Sequence, residues 1–334
     1  MKVLFYDIDS FELEYFLKNS INFIEPYFFK ISLSPNTYID SKNKDAEALS
    51  VFVQSDLTKE VLKQFENLKF IFLRSTGYSN VDLKYCKEKN IKVFNVPNYG
   101  TNSVAEFVFA LALNVSRKIL KANYELKEGI VEKEALVGVE LNSKTMGVIG
   151  LGAIGKRVYE IASGFKMNVL AYDVAKTGEY NYTTLDNLLK NSDFIAITCP
   201  LTSSTKYMIN HNSFLKMKKN CILINVSRGE IIETESLYDA IVNKKILSCA
   251  LDVVECEQTL CKLFEKCSKK DNVQSHCIKK YLFNSKLMQM ENVIITPHIA
   301  YSTIEAKEKI VKITTENIKS SLDINYGTKN LILI

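Results

Sequence analysis

The sequence predicts an α/β protein built on two doubly wound parallel sheets. Two observations carry that class. Apolar, β-branched runs alternate with amphipathic segments over almost the whole chain, which is the βαβ signature of parallel strands. The alternation then starts afresh near residue 145 and supplies a second full set of strands. With 334 residues the chain is long enough for two domains, each with its own core.

In chain order, KVLFYDI (2–8), ALSVFVQ (48–54), KFIFLRS (69–75) and IKVFNV (91–96) are the strands of the first set. Mixed segments such as TKEVLKQFENL separate them. NSVAEFVFALALNVSRKILKANYELKEG (102–129) reads as one long helix, running from an Asn-Ser cap to Gly129. It is apolar on more than one face, so its middle is expected to be buried between domains or subunits, in a symmetric homodimer through this region. The second set is TMGVIG (145–150), NVLAYD (168–173), DFIAITC (193–199), CILINVS (221–227), SCALDVV (248–254) and NVIITPH (292–298). Six strands with helical intervals complete a doubly wound sheet. The interval 255–290 is polar and Lys-rich and reads as an insertion over one sheet edge, and STIEAKEKIVKITTENIKSSLDI (302–324) reads as a helix returning to the first domain.

Composition excludes several classes. The chain is 47% hydrophobic and 24% charged, ordinary for a globular protein, and its net charge of +5 is scattered apart from short clusters such as KMKK (216–219). No basic tract carries interleaved aromatics, so no nucleic-acid partner is expected. No apolar run approaches the roughly 20 residues that span a bilayer, so no membrane partner is expected either. The start, MKVLFYDIDSFE, turns acidic and has no signal-peptide core, which together predict a cytoplasmic protein. Cys199, Cys221 and Cys249 lie in apolar runs and read as small core residues. Cys256, Cys261, Cys267 and Cys277, with His276, contain no C-x-x-C pair, so they are expected to be reduced thiols in a loop and to hold no metal.

The strongest motif is GVIGLGAIGKRV (147–158), with Gly150, Gly152, Ala153, Ile154 and Gly155 in the pattern G-x-G-x-x-G. It follows a strand, opens an amphipathic helix and is followed by a second strand ending in Asp173. Gly150 serves the tight turn, Gly152 lets backbone approach a pyrophosphate, and Gly155 allows close helix–strand packing. Free N–H groups at the helix start suit the phosphates. A carboxylate at Asp173 accepts hydrogen bonds from ribose hydroxyls and repels a 2′-phosphate, and VAKTGEY after it offers no arginine, so NAD is the expected cofactor.

Chemistry-bearing residues recur at the other strand ends. Arg228 follows CILINVS, Asp252, Glu255 and Glu257 follow SCAL, and His298 follows VIITP, where Pro297 ends the ladder. A histidine with a carboxylate is a proton donor, and an arginine is a fixed cation for an anionic substrate.

In this order and spacing, GLGAIG…AYD, NVSRGEII, ALDVVECE and ITPHIAY resemble the D-isomer-specific 2-hydroxyacid dehydrogenases, most of all their D-lactate dehydrogenase branch. LRSTGYSNVDL (73–83) is similar to the family's substrate loop, and NVPNYGTNSVAE (95–106) to its hinge. The resemblance implies two Rossmann-like domains, with an NAD-binding domain (102–301) inserted into a smaller flavodoxin-like substrate domain (1–101 and 302–334). It implies Arg228 for the substrate carboxylate and carbonyl, His298 for general acid/base work, Glu257 as its partner and Asp252 near the nicotinamide. Thr76 and Gly77 would hold the carboxylate by backbone N–H groups, with Tyr99 and Tyr301 lining the pocket.

Two departures stand out. ECEQTL lacks the proline that often follows the catalytic glutamate, which keeps Glu255 as an alternative to Glu257, and Ser302 replaces a second aromatic after Tyr301. The reaction implied is reduction of a small 2-keto acid, pyruvate first, to the D-2-hydroxy acid. The alternatives are a bulkier 2-keto acid, glycerate or phosphoglycerate, or an NAD-sensing binding protein on the same fold. A phosphorylated substrate wants cations near 74–78 and 99–101, where only Arg74 stands.

Overall fold

The computed structural model describes residues 1–18, 21–257, 275–323 and 330–332. Two compact units make up the chain, Met1–Tyr99 with Ser302–Ile334, and Gly100–Tyr301.

The first unit holds a parallel sheet of β1 (Lys2–Phe5), β2 (Glu25–Phe28), β3 (Ala48–Val51), β4 (Phe70–Leu73) and β5 (Lys92–Phe94), in the order β2-β1-β3-β4-β5. This is the flavodoxin-like order. Alternation along each strand sends Leu4, Leu49, Ile71 and Val93 to one core. Val3, Phe5, Ala48 and Phe72 go to the other, where Val311 and Ile318 of the helix Ile304–Leu322 cover them. Strand β2 (EPYF) was not among the four expected. Its Pro26 and its lack of a β-branched run hide it, and both are tolerated because it is an edge strand, paired with β1 alone among the described residues.

The six runs expected for the second sheet all form strands. They are β6 (Thr145–Ile149), β7 (Asn168–Tyr172), β8 (Phe194–Ile197), β9 (Ile222–Asn225), β10 (Ser248–Leu251) and β11 (Val293–Ile295), parallel, in the order β11-β10-β9-β8-β6-β7. Both faces are buried, which is why the strands read as near-continuous apolar runs. The chain runs outward from β6 to β7 and then returns across β6 to β8, so the strand order reverses between β6 and β8. Ligands of doubly wound sheets bind outside the carboxyl ends at such a reversal.

The expected helix over 102–129 is two helices, Thr101–Arg117 and Ile119–Lys127, and its start is capped by Gly100 without a side-chain bond. Lys118 separates them in the left-handed region at φ 54°. Its Nζ donates to Ala135 O at 2.7 Å, and Leu120 N–H donates to Asn114 Oδ1 at 3.2 Å. These tertiary and side-chain bonds compensate for the broken ladder. The first helix buries Val104, Val108 and Ala112 in its own unit, so the unburied apolar surface belongs to the second, where Ile119, Leu120, Tyr124 and Leu126 are exposed. Most of the expected insertion over 255–290 lies outside the described residues. Its last part is the helix Ser275–Met288.

Candidate active site

The glycine fingerprint sits at the carboxyl end of β6. Gly150 has φ 94°, and a Cβ there would lie 2.4 Å from Cys199 N, so only glycine fits. A Cβ on Gly155 would stand 1.9 Å from Gly150 O, which is the close helix–strand approach expected of the third glycine. Gly152 differs, because a Cβ there would meet nothing within 4 Å. Its smallness answers no packing need of the protein itself and leaves room for a ligand. Gly152 caps the helix Ala153–Gly164, whose first intrahelical bond runs from Lys156 N–H to Gly152 O. The N–H groups of Ala153, Ile154 and Gly155 precede it and are the donors a pyrophosphate needs.

Asp173 is the first residue past β7. Its Oδ2 accepts from Leu151 N–H at 2.6 Å and its Oδ1 from Ala175 N–H at 2.8 Å. The carboxylate therefore lies against the fingerprint turn, where an NAD ribose needs an acceptor. Together, the open Gly152, the uncommitted N–H groups and Asp173 fit NAD.

Across the switch point, three further strand ends carry polar side chains. Asn225, the last residue of β9, shapes the turn: its Oδ1 accepts from Ser227 N–H at 3.0 Å and its Nδ2 donates to Arg228 O at 2.9 Å. The half-buried Arg228 guanidinium donates to Ser227 O at 2.7 Å, and among the described residues no carboxylate pairs with it. A partly desolvated cation without a counter-ion is a standing site for an anion.

After β10, Asp252 is 1% exposed and ties down the loop beyond β11. It accepts from Thr296 Oγ1 at 2.6 Å, Ile299 N–H at 2.9 Å and Ala300 N–H at 2.8 Å. Burial pushes its carboxyl above the usual range, against the pull of those bonds and of His298.

His298 is held between them. Its N–H donates to Asp252 O at 2.9 Å and its backbone is left-handed at φ 54°, an uncommon conformation for a residue with a Cβ. Its Nδ1 lies 2.9 Å from Glu257 Oε1. Glu255 is occupied elsewhere. It is 4% exposed and accepts from Tyr207 Oη at 2.6 Å, Thr234 N–H at 3.0 Å and Thr234 Oγ1 at 2.5 Å. Lys280 Nζ adds an ion pair at 2.9 Å. Burial and the Glu255 charge push the Tyr207 hydroxyl up to about 12. Tyr207, Thr234 and Lys280 carried no sequence signal, since each stands in a polar stretch without a motif.

Cys256 and Cys277 are not the reduced loop thiols expected. They form a disulfide, because the helix Ser275–Met288 brings Cys277 beside the turn after β10, with a Cα–Cα distance of 5.6 Å. Cys261 and Cys267 lie outside the described residues, and no metal-holding group occurs among the described ones. Cys199, Cys221 and Cys249 are buried free thiols.

In the first unit, the loop after β4 presents an exposed Thr76 and a half-buried Gly77. Thr76 Oγ1 donates to Val96 O at 2.8 Å, Asn95 Nδ2 donates to Thr76 O at 2.9 Å, and Ser75 Oγ donates to Gly77 O at 2.7 Å. The carbonyl and hydroxyl groups of the loop are thus occupied, while the N–H groups of Thr76 and Gly77 meet no protein acceptor among the described residues. Tyr99 and Tyr301 are half-buried at the two crossings of the chain. Arg74 is not an available cation. It is fully buried, with Nε 3.0 Å from Glu12 Oε1 and Nη2 donating to the carbonyls of Tyr6 and Asp7 at 2.8 and 2.9 Å.

A dinucleotide fingerprint, an arginine and a histidine–glutamate pair at the carboxyl ends of strands of one parallel sheet define a nicotinamide-dependent oxidoreductase. Residues 109–300 match the D-isomer specific 2-hydroxyacid dehydrogenase, NAD binding domain, and the chain belongs to that family, whose cofactor is NAD. It is 38% identical to a hydroxypyruvate reductase of Thermotoga maritima over 84% of this chain and 86% of that one. It is 34% identical to an aromatic 2-oxoacid reductase of Clostridium sporogenes over 96% of each. Among solved structures, the D-lactate dehydrogenase of Aquifex aeolicus complexed with NAD and lactic acid superposes with a TM-score of 0.86 at 34% identity, covering 99% of this chain and 98% of that one.

Proposed function

We propose that this protein reduces a small, unphosphorylated 2-keto acid, pyruvate first, to the D-2-hydroxy acid, and catalyses the reverse reaction. The observation that carries this reading is the 2.9 Å pair of His298 Nδ1 and Glu257 Oε1, in the same unit as an Arg228 that no described carboxylate neutralises. Bound NADH supplies the hydride. Arg228 holds the substrate carboxylate and polarises the carbonyl in a bidentate contact. With Nδ1 engaged by Glu257, Nε2 is the ring atom left to act, and it gives its proton to the carbonyl oxygen. In the reverse direction, the same atom takes the hydroxyl proton. The family resemblance adds the N–H groups of Thr76 and Gly77 for the carboxylate, and Tyr99 and Tyr301 for the side chain.

The burial of Arg74 against Glu12 argues against a phosphorylated substrate, because the cation counted for it is already paired. The relatives' differing names keep hydroxypyruvate and aromatic 2-keto acids as competitors. We further propose a cytoplasmic homodimer assembled through 102–129, in which the exposed Ile119, Leu120, Tyr124 and Leu126 are covered. No helix among the described residues is long and apolar enough to cross a membrane.

The test is NADH oxidation by purified protein over pyruvate, hydroxypyruvate, phenylpyruvate and a phosphorylated 2-keto acid. The expected order places pyruvate first and the phosphorylated acid last. NADH binding without turnover of any acid would make the chain an NAD-sensing protein instead.

A further inference from the structure

Glu255 is the most heavily engaged carboxylate among the described residues of the second unit, and the mechanism above gives it no task. Its partners come from three separate segments. Tyr207 follows β8, Thr234 begins the helix Thr234–Val242, and Lys280 lies on the helix Ser275–Met288. The helix at Thr234 has no side-chain cap of its own, since Glu233 makes none. Glu255 takes that place, accepting both from Thr234 N–H and from its hydroxyl at the positive end of the helix. The Glu255 carbonyl is also held, accepting from Asn284 Nδ2 at 3.0 Å.

These bonds join the two halves of the reaction machinery. The segment that starts at Arg228 runs through Gly229 directly into Thr234. A Cβ on Gly229 would lie 2.0 Å from Val254 C and 2.3 Å from Glu255 N, so the backbone after Arg228 rests on the backbone before Glu257. Two residues beyond Glu255, Glu257 meets His298. Cys256, between the two glutamates, is left-handed at φ 55° and is linked to Cys277, so the direction of the turn is fixed on both sides of it.

We propose that Glu255 is a positioning residue, which sets the place of Arg228 relative to the Glu257–His298 pair by binding both of their segments. Both of its oxygens are taken by Tyr207, Thr234 and Lys280, so it acts through these neighbours and not on substrate or cofactor itself. The inference rests on the roles proposed above for Arg228, Glu257 and His298. It requires substitutions at Glu255 to disturb the keto acid while leaving the dinucleotide fingerprint alone.

The experiment measures kcat and KM for pyruvate, and Kd for NADH by fluorescence, in the full-length parent, Glu255→Ala, Glu255→Gln and Tyr207→Phe. Misplacing a reacting group by an ångström costs about 100-fold, and Glu255→Ala should lose about that in kcat/KM, with KM raised as well as kcat lowered. Glu255→Gln keeps an acceptor for Thr234 and should recover part of the loss. Tyr207→Phe removes a single bond and should lose several-fold. NADH Kd should stay within twofold throughout. If Glu255→Ala does not fold, the other two variants decide. Parent-like kinetics in the folded variants would overturn the proposal, and so would a rise in NADH Kd parallel to that in KM, which marks a general loosening of the unit. A parent that turns over no 2-keto acid at all would instead refute the functional reading beneath it.

Discussion

Arg74 and Glu12 form an ion pair sealed from solvent, 3.0 Å apart, with side chains 0% and 7% exposed. Arg74 directly follows β4, and its guanidinium also binds Ser50 Oγ of β3 and the carbonyls of Tyr6 and Asp7 just past β1, so it joins the carboxyl ends of these strands just before the Thr76–Gly77 loop. Removing one member of a buried pair leaves an uncompensated charge, which costs about 3–5 kcal/mol. Glu12→Gln and Arg74→Met should each lower thermal stability accordingly, and the double variant should recover much of the loss. Additive losses in calorimetry would show that the pair is not coupled.

Asp173 should set the cofactor preference. Losing a charged acceptor for the ribose costs about 1.5–3 kcal/mol. Asp173→Ala should therefore weaken NADH use by about 10- to 100-fold and narrow its lead over NADPH. Part of that loss comes from the fingerprint turn, since the same carboxylate holds Leu151 N–H. Equal kcat/KM for NADH and NADPH in the parent would contradict the assignment.

Asp193 offers a pH-dependent test of the sheet. Burial opposes its ionisation, but the bond from Thr145 N–H at 2.9 Å and the Lys218 ammonium at 2.9 Å outweigh it and hold its pKa below the ordinary 3.8. A lowered folded value contributes stability above the unfolded value and loses it as pH falls through the folded one. Asp193→Asn should then be less stable than the parent by about 1 kcal/mol at neutral pH, and the gap should close in acid. A gap that is constant with pH would remove the charge from the explanation.

The Cys256–Cys277 disulfide should survive non-reducing digestion as one linked peptide pair. Its loop spans a sequence separation of 21, and a cross-link of that size contributes about 3 kcal/mol. Cys277→Ser should lower the melting temperature to the value that the parent shows with a dithiol reductant. The proposed cytoplasmic location is a reducing one, where disulfides are rare, so free thiols at both positions after alkylation in fresh lysate would contradict the disulfide prediction.

Much of this could be read in the sequence where a residue's type decided its place. The second sheet announced itself because strands buried on both faces must be apolar throughout, and Gly150 and Gly155 because no other residue fits there. Tertiary context hid the rest. Lys118 breaks a helix whose apolar periodicity runs on undisturbed, and only its left-handed backbone and its bond to Ala135 reveal the break. Pro26 disguised an edge strand. Glu255 and Glu257 could not be ranked by spacing, because the turn at Cys256 determines which carboxylate meets His298. Arg74, at the end of an apolar run, looked available until Glu12, 62 residues earlier, was seen to hold it.

If His298 moves the proton while Arg228 holds the acid, losing the imidazole must stop turnover and spare the cofactor. Pyruvate reduction should be followed in His298→Gln beside the parent, with NADH affinity measured on the same samples. A positioned general acid contributes about 100- to 10,000-fold, so kcat should fall by that much while NADH Kd stays unchanged. A His298→Gln variant that keeps its kcat within a few-fold of the parent would remove the proton transfer from His298 and leave this histidine a loop residue beside a glutamate.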